Sequence, residues 1–209
     1  MYVLYYAPGT ASMVVHLALL EIGAPYELRR VDFTTGAQRA PDYLALNPAG
    51  RVPTLLIDGH PRSESVALLM MLADRHPEAQ LAPPPGTPAR EAWLEWAVYL
   101  ANTLMPAYRL WFYPRDLGSD TLTPANQAAL QSSIEGAWQR LDAHLTTHGP
   151  YLLGEACSGV DLLLTMLMRW SRNMPRPATA WPALAALADR VRARPSWQRL
   201  YALEGLSEW

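Results

Sequence analysis

The sequence predicts two structural units: an α/β N-terminal domain of order β-α-β-α-β-β-α, and an all-helical bundle after it. Short apolar strands alternate with helical segments before residue 77, and nearly every later segment has helical periodicity. Between the two lies PEAQLAPPPGTP, whose three consecutive prolines cannot continue a helix and stiffen an extended connection. We therefore predict domains at residues 1–76 and 88–209, joined by a linker at residues 77–87.

The first domain opens with a short buried strand, Tyr2–Tyr6, rich in aromatic and branched side chains. Pro8-Gly9 predicts a turn after it, and Asp58-Gly59 predicts a two-stranded hairpin. The remaining predicted elements of this domain are a helix at residues 11–22, a strand at 25–31, a short helix at 40–46, hairpin strands at 54–57 and 60–62, and a helix at 65–75.

Helices account for nearly all of the second domain. A long helix at residues 88–113 contains Pro106, which predicts a kink because proline removes a helical hydrogen bond. Thr123-Pro124 introduces a second long helix, which Gly149-Pro150 ends. The remaining predicted helices are at residues 158–172, 181–193 and 195–203.

Composition narrows the functional classes. Half of the 209 residues are apolar and 17% are charged, which excludes a disordered chain. The formal net charge of -2 argues against nucleic-acid binding. No signal-peptide pattern and no membrane-length apolar run is present, so we expect a cytoplasmic protein without a membrane partner. Cys157, the only cysteine, is expected to be an inert core thiol, and the five histidines lack metal-ligand spacing.

The segment NPAGRVPTLLIDG, residues 47–59, has the features of a binding site for a small anionic peptide. A cis bond at Val52-Pro53 would turn the Val52 backbone toward a peptide lying along the sheet edge, and an ordinary trans proline is the alternative. Glu64-Ser65 opens the next helix, whose N-terminus favours a carboxylate. The alternative for this pair is helix capping, for which Ser63 and Ser65 are both suited.

The segment YYAPGTAS, residues 5–12, places Thr10 and Ser12 at a helix N-terminus. A thiolate there would gain about 0.3–1 kcal/mol from the helix dipole and about 1.5–3 kcal/mol from a hydroxyl hydrogen bond. Lowering a thiol pKa by about two units takes about 2.7 kcal/mol. The two effects together suffice without a histidine base. Capping by these hydroxyls is again the alternative.

In this order, these motifs resemble the glutathione transferase family. The resemblance spans nearly the whole chain, through YYAPGTAS, NPAGRVPTLLIDG, SESVALLMMLADRHP and YLLGEACSGVDLLL. It implies a thioredoxin-like first domain, glutathione as co-substrate and a homodimer. Carried over by position, it implies that Val52 pairs with the cysteinyl backbone of glutathione, with Pro53 cis. Glu64 and Ser65 would then hold the γ-glutamyl end, and Arg51 would approach the glycine carboxylate.

The resemblance leaves the thiol-activating group open. The N-terminus is most similar to bacterial beta-class members, which carry a cysteine where this chain has Ala11. The catalytic serine of theta- and delta-like members falls closest to Thr10. We therefore rank Thr10 and Ser12 first as catalytic residues, followed by Tyr6 and Tyr5.

The second domain is expected to hold the electrophile, at Met105, Tyr108, Arg109 and Trp111 around the aromatic run YRLWFY. The resemblance implies conjugation of the glutathione thiolate to a small apolar electrophile. Glutathione-dependent isomerisation or reductive cleavage is one alternative. A non-catalytic ligand- or protein-binding member is another, because the beta-class cysteine is absent and Met105 and Val98 replace polar helix positions of the family.

Overall fold

In a computed structural model, which describes residues 1–207 and 209, the chain forms two compact units. Unit 1 comprises Met1–Ala82 and the segment that begins at Arg192, and unit 2 comprises Pro83–Val191. The predicted fold class is confirmed, because unit 1 is built on a mixed sheet and unit 2 is helical. The boundary after Ala82 falls inside the predicted linker.

Unit 1 contains a four-stranded sheet of order β2-β1-β3-β4. Its elements up to the boundary are β1 (Tyr2–Tyr6), α1 (Met13–Ile22), β2 (Tyr26–Arg30), α2 (Pro41–Leu46), β3 (Thr54–Ile57), β4 (His60–Ser63) and α3 (Ser65–Arg75). β1 pairs parallel with β2 and antiparallel with β3, and β3 pairs antiparallel with β4. At the predicted hairpin turn, Asp58 and Gly59 have φ of 53° and 80°, values that match the twist of the flanking strands.

Unit 2 is helical, as predicted. Its helices are α4 (Pro88–Tyr99), α5 (Met105–Phe112), α6 (Pro124–His148), α7 (Gly159–Trp170) and α8 (Pro182–Arg192). A π-helical turn, Leu100–Leu104, separates α4 from α5 shortly before Pro106, where the sequence predicts a long helix with a kink. Ser158 and Asp161 form a capping box at the start of α7, as their spacing indicates. No helix in the described part of the chain combines the length and apolarity that crossing a bilayer requires.

The last helix, α9 (Pro195–Glu204), packs on α1 in unit 1, whereas the sequence places it in the second domain. The reason is a set of hydrogen bonds, three of them partly buried and one buried. Glu21 of α1 accepts from Arg194 Nε and Nη2 at 2.8 and 2.7 Å, and from Ser196 Oγ at 2.5 Å. Farther along, Glu204 accepts from His16 Nδ1 at 2.8 Å. These partners are at least 173 residues apart, so sequence spacing gives no sign of them.

The Glu21 carboxylate makes the stability of unit 1 depend on pH. Burial raises the pKa of Glu21, but hydrogen bonds from Arg194 and Ser196 outweigh burial and hold that pKa below its ordinary value of 4.5. The folded chain therefore binds this proton more weakly than the unfolded chain does. Its contribution to stability is complete above pH 4.5 and is lost as the pH falls through the lower folded pKa.

Glu21→Gln is expected to lower the free energy of unfolding by about 1–3 kcal/mol at neutral pH, because it weakens charge-assisted hydrogen bonds. The loss should shrink in acid, where the wild-type carboxylate is also protonated. Urea unfolding of both proteins at neutral pH and at a series of lower pH values checks this, since a loss that stays constant as the pH falls contradicts the pH linkage.

Candidate functional site

Three segments of unit 1 meet at one edge of the sheet. Thr54 of β3 pairs with Tyr5 of β1 and with Ser63 of β4, both times antiparallel. The residues that precede Thr54, follow Tyr5 and follow Ser63 therefore lie at the same edge. These segments are residues 51–53, 7–12 and 64–65. The fold thus brings together the segments that carry the predicted binding and catalytic residues.

The loop before β3 is fixed by a buried polar network. Tyr43 Oη and Asn47 Nδ2 donate to the Arg51 carbonyl oxygen at 2.6 and 2.8 Å. Both groups also bond the hydroxyl of buried Thr54, at 3.0 and 3.2 Å. The Val52–Pro53 peptide bond is cis. Val52 is half-buried and Arg51 is exposed, so this held loop presents both residues at the sheet edge.

Gly50 is the tightest position of this loop. It has a φ of +59°, and an added Cβ would lie 2.8 Å from the Gln38 carbonyl oxygen and 3.0 Å from Arg39 Nη1. Both the backbone conformation and the available space therefore require glycine. The same contact places the Arg39 guanidinium beside the loop, a cation near the site that was not predicted from the sequence.

Gly50→Ala is expected to lower the free energy of unfolding by about 1–3 kcal/mol, the range for a strained backbone position. A second glycine with a similar φ but open space around it shows how much of this loss comes from the backbone alone. Gly36 has a φ of +74° with no atom within 4 Å of an added Cβ. Gly36→Ala should therefore cost less in urea unfolding. Equal losses in the two variants would show that the Gln38 contact does not matter.

The start of α3 is an unblocked helix terminus. Glu64 precedes it with φ 71° and ψ 104°, a strained conformation for a residue with a side chain. In the described residues no side chain caps α3, so the capping alternative for Ser63 and Ser65 is not observed. Ser65 is buried and Glu64 is exposed. The first N–H groups of α3 can therefore face an anion.

Thr10 and Ser12 both bond the backbone of Ala7. Thr10 Oγ1 donates to the Ala7 carbonyl oxygen at 2.8 Å, and Ser12 Oγ lies 3.1 Å from the same oxygen. Ser12 Oγ also accepts from the Ala7 N–H at 3.3 Å. Ser12 is completely buried, whereas Thr10 is partly exposed. Thr10 can therefore contact a ligand in this conformation, whereas Ser12 is enclosed, and the ranking of both as catalytic residues stays a prediction.

Tyr6 and Tyr5 are neighbours in β1 and so lie on opposite faces of the sheet. Tyr6 packs against His16, with ring centroids 6.1 Å apart. Burial, and then the charge of Glu204, raise the pKa of Tyr6, so its phenol stays protonated. The Tyr5 hydroxyl accepts from Arg29 Nη1 at 2.9 Å, at the β2 side of the sheet. Because of these contacts, both tyrosines rank below Thr10 as candidate catalytic residues.

A buried carboxylate, that of Glu204, supports the turn between β1 and α1. Glu204 Oε2 accepts from the Gly9 N–H at 2.9 Å, and Glu204 Oε1 accepts from His16 Nδ1. His16 Nε2 lies 3.1 Å from the Tyr26 hydroxyl, which makes Nε2 the acceptor when Nδ1 carries the proton. The side chains of His16 and Glu204 are fully buried. The turn that carries Thr10 is therefore fixed by α9, 195 residues farther along the chain.

Tyr108, predicted to line an electrophile pocket, lies instead in the core of unit 2. Its side chain is completely buried. Its ring stacks on Phe112, with centroids 5.8 Å apart, and meets Trp170 edge-on at 5.6 Å. Burial also raises the pKa of Tyr108 far above its ordinary range. The prediction is corrected on this point, because a fully enclosed ring cannot contact a ligand here.

The other three predicted pocket residues keep some exposure. Arg109 Nε is 2.5 Å from Asp116 Oδ2, and its guanidinium lies 3.8 Å from the centroid of Tyr113. Its charge is therefore neutralised by a neighbour. Met105 and Trp111 are half-buried and retain accessible apolar surface. Two surface grooves of unit 2, of about 470 and 520 Å³, are lined by other residues.

Cys157 is half-buried, so it is not the core thiol that the sequence predicts. In residues 1–207 and 209, no three histidine, cysteine or acidic side chains are grouped as metal ligands.

Comparison with known proteins identifies the family. The protein-family model described as glutathione S-transferase, N-terminal domain, matches residues 1–74. The chain is 30% identical to glutathione S-transferase GstA of Escherichia coli O157:H7, over 97% of this chain and 98% of the relative. It is 32% identical to the maleylacetoacetate isomerase of Rhizobium meliloti, over 95% of each. A sphingomonad glutathione S-transferase solved in complex with glutathione has a TM-score of 0.86 and 30% identity, covering 98% of this chain and 100% of that chain. With its site segments at one sheet edge and a relative this similar over nearly its full length, the chain belongs to the glutathione transferase family of enzymes.

Proposed function

We propose that this enzyme conjugates the thiolate of glutathione to a small apolar electrophile. The observation that carries the proposal is the sheet edge itself. This edge combines three features: the partly exposed hydroxyl of Thr10, the backbone of Val52 and the uncapped N-terminus of α3. These groups match a thiol, a peptide backbone and a carboxylate, which glutathione combines in one molecule.

The binding mode follows from the groups at this edge. The Val52 backbone pairs with the cysteinyl residue of glutathione, as an added strand pairs with a sheet edge. The γ-glutamyl carboxylate lies at the α3 terminus near Ser65, and exposed Glu64 accepts from the γ-glutamyl amine. Arg51 approaches the glycine carboxylate, and Arg39, beside the same loop, is a second cation available to it.

Activation of the thiol rests on Thr10 and on the N-terminus of α1. Thr10 donates to the sulfur, and the thiol proton leaves to water. The hydrogen bond supplies about 1.5–3 kcal/mol and the dipole about 0.3–1 kcal/mol, enough to lower the thiol pKa by about two units. The thiolate then attacks an electrophilic carbon and forms the C–S bond of a thioether. In a substitution the leaving group departs with the electron pair of its bond to that carbon, and in an addition the pair of the C=C bond shifts and takes up a proton from water. Met105 and Trp111 supply the accessible apolar surface for that electrophile.

We also propose a homodimer. Leu94 and Val98 lie one turn apart on α4 and are 37% and 48% exposed, so α4 presents an apolar surface that a second chain can cover. A sedimentation equilibrium mass near 23.3 kDa, that of one chain, would rule the dimer out. The cytoplasmic location stays a prediction from the sequence.

Isomerisation that regenerates glutathione is a second candidate reaction, favoured by the 32% identity to a bacterial maleylacetoacetate isomerase. The same thiolate would serve both reactions. Mass spectrometry of the products from a substrate panel separates them, because conjugation leaves a glutathionyl group on the product and isomerisation leaves the substrate mass unchanged.

Titration with glutathione, followed by thiolate absorbance across a pH series, tests the enzyme proposal. We expect saturable binding and a bound thiol pKa about two units below that of free glutathione. Absence of binding at millimolar glutathione contradicts the proposal. Binding with an unchanged thiol pKa supports the remaining alternative, a non-catalytic binding member of the family.

A further inference from the structure

A hydroxyl has one proton, and that of Thr10 is already engaged. Thr10 Oγ1 donates to the Ala7 carbonyl oxygen at 2.8 Å. To stabilise a thiolate, Thr10 must turn this proton to the sulfur and release the carbonyl. The same carbonyl oxygen is also within reach of the Thr10 N–H, at 3.4 Å, and of Ser12 Oγ, at 3.1 Å. The N–H contact is long, and a buried carbonyl without a good donor costs about 1–3 kcal/mol. The proposed mechanism is therefore favoured by a second hydroxyl donor at Ala7.

Ser12 is placed to be that donor. Its Oγ lies 3.1 Å from the Ala7 carbonyl oxygen and 2.9 Å from Thr10 Oγ1. It is completely buried, so neither water nor ligand competes for its proton. We propose that Ser12 is a positioning residue, whose hydroxyl holds the Ala7 carbonyl when Thr10 turns its proton to the glutathione sulfur. This inference rests on the proposed function of Thr10.

The exchange leaves every participating group satisfied. After it, Ser12 Oγ donates to the Ala7 carbonyl and still accepts from the Ala7 N–H, 3.3 Å away. Thr10 Oγ1 donates to the sulfur and lies 3.4 Å from the Ser12 N–H. Glu204 continues to hold the Gly9 N–H. No covalent bond forms within the protein, and only hydroxyl protons change direction.

Without the Ser12 hydroxyl, the Ala7 carbonyl oxygen and the glutathione sulfur should compete for the Thr10 proton. We expect Ser12→Ala to raise the pKa of the bound glutathione thiol by roughly one unit, the size of one ordinary hydrogen bond. Affinity for S-methylglutathione should change less than about twofold, because this analogue has no ionisable thiol. That analogue thus reports whether the variant still folds and retains its site. Ser12→Cys, of similar volume but a weaker donor, is the second variant and should show a smaller pKa change.

A double-mutant cycle distinguishes positioning from general structural support. If Ser12 acts only through Thr10, Ser12→Ala should not change the thiol pKa further in a Thr10→Val background. Thr10→Ser, which keeps the hydroxyl, should retain the wild-type response to Ser12→Ala. The inference is overturned by an unchanged thiol pKa in Ser12→Ala, or by an equal change with and without the Thr10 hydroxyl. If wild-type protein itself does not lower the thiol pKa, the proposed function fails first, and the inference with it.

Discussion

Replacing Thr10 by valine is expected to lower kcat/KM for glutathione conjugation by about 10- to 100-fold, the equivalent of about 1.5–3 kcal/mol of lost charge stabilisation. Valine has nearly the shape of threonine but cannot donate a proton to the sulfur. Of the two hydroxyls on the β1–α1 turn, only that of Thr10 is partly exposed at the sheet edge. The decrease in kcat/KM should therefore come from weaker stabilisation of the thiolate and not from altered packing.

Steady-state kinetics with a chromogenic electrophile, together with the pKa of the bound thiol, measures this effect. Thr10→Ser should keep most of the activity. Thr35→Val is a matched control, since Thr35 is exposed and its hydroxyl donates to the Asp32 carbonyl, 3.1 Å away. Wild-type activity in Thr10→Val would exclude Thr10 as the activating group and leave Tyr6 and Tyr5 to be tested.

Replacing Glu204 by alanine should have the largest effect on stability, a loss of about 2–5 kcal/mol in the free energy of unfolding. Its carboxylate accepts from the Gly9 N–H and from His16 Nδ1, and both Glu204 and His16 are fully buried at the side chain. Truncation removes two acceptor oxygens and opens a cavity between α1 and α9. The Gly9 turn also loses its support, so conjugation should slow as well.

Urea unfolding and steady-state kinetics of Glu204→Ala test both effects. Glu204→Gln keeps the side-chain volume and one acceptor oxygen, and it should lose less. Glu27→Ala is the surface control, because Glu27 pairs with Arg29 in solvent, and its replacement should leave the unfolding midpoint unchanged. A Glu204→Ala variant no less stable than Glu27→Ala would show that the buried contact contributes nothing.

The elements of unit 1 were predictable because their signals are local. The residues of β1 are aromatic or branched, Gly23 caps α1 in a left-handed conformation, and Asp58-Gly59 sets the hairpin. Once β1, β3 and β4 are paired, the edge at Val52, Thr10 and Glu64 follows from the register alone. Resemblance to a family then suggested which ligand such an edge serves.

The features that the sequence did not predict depend on contacts that no local pattern encodes. Tyr108 sits on an aromatic run that reads equally well as a pocket wall or a core, and its burial depends on Trp170, far along the chain. Ser12 and Thr10 have the same chemistry in sequence, and only the packing of α1 buries one of them. The membership of α9 in unit 1 is set by Glu21 and Glu204 through their distant partners.

The contact between Glu204 and Gly9 has a consequence for how the enzyme is made. Unit 1 is assembled from segments at opposite ends of the described chain, so the turn at residue 9 gains its buried support only after residue 204 has been synthesised. A fragment limited to Met1–Ala82 lacks that support, although it contains the sheet-edge segments. Exchange of helical domains between family members should likewise keep α9 together with the α1 it packs against.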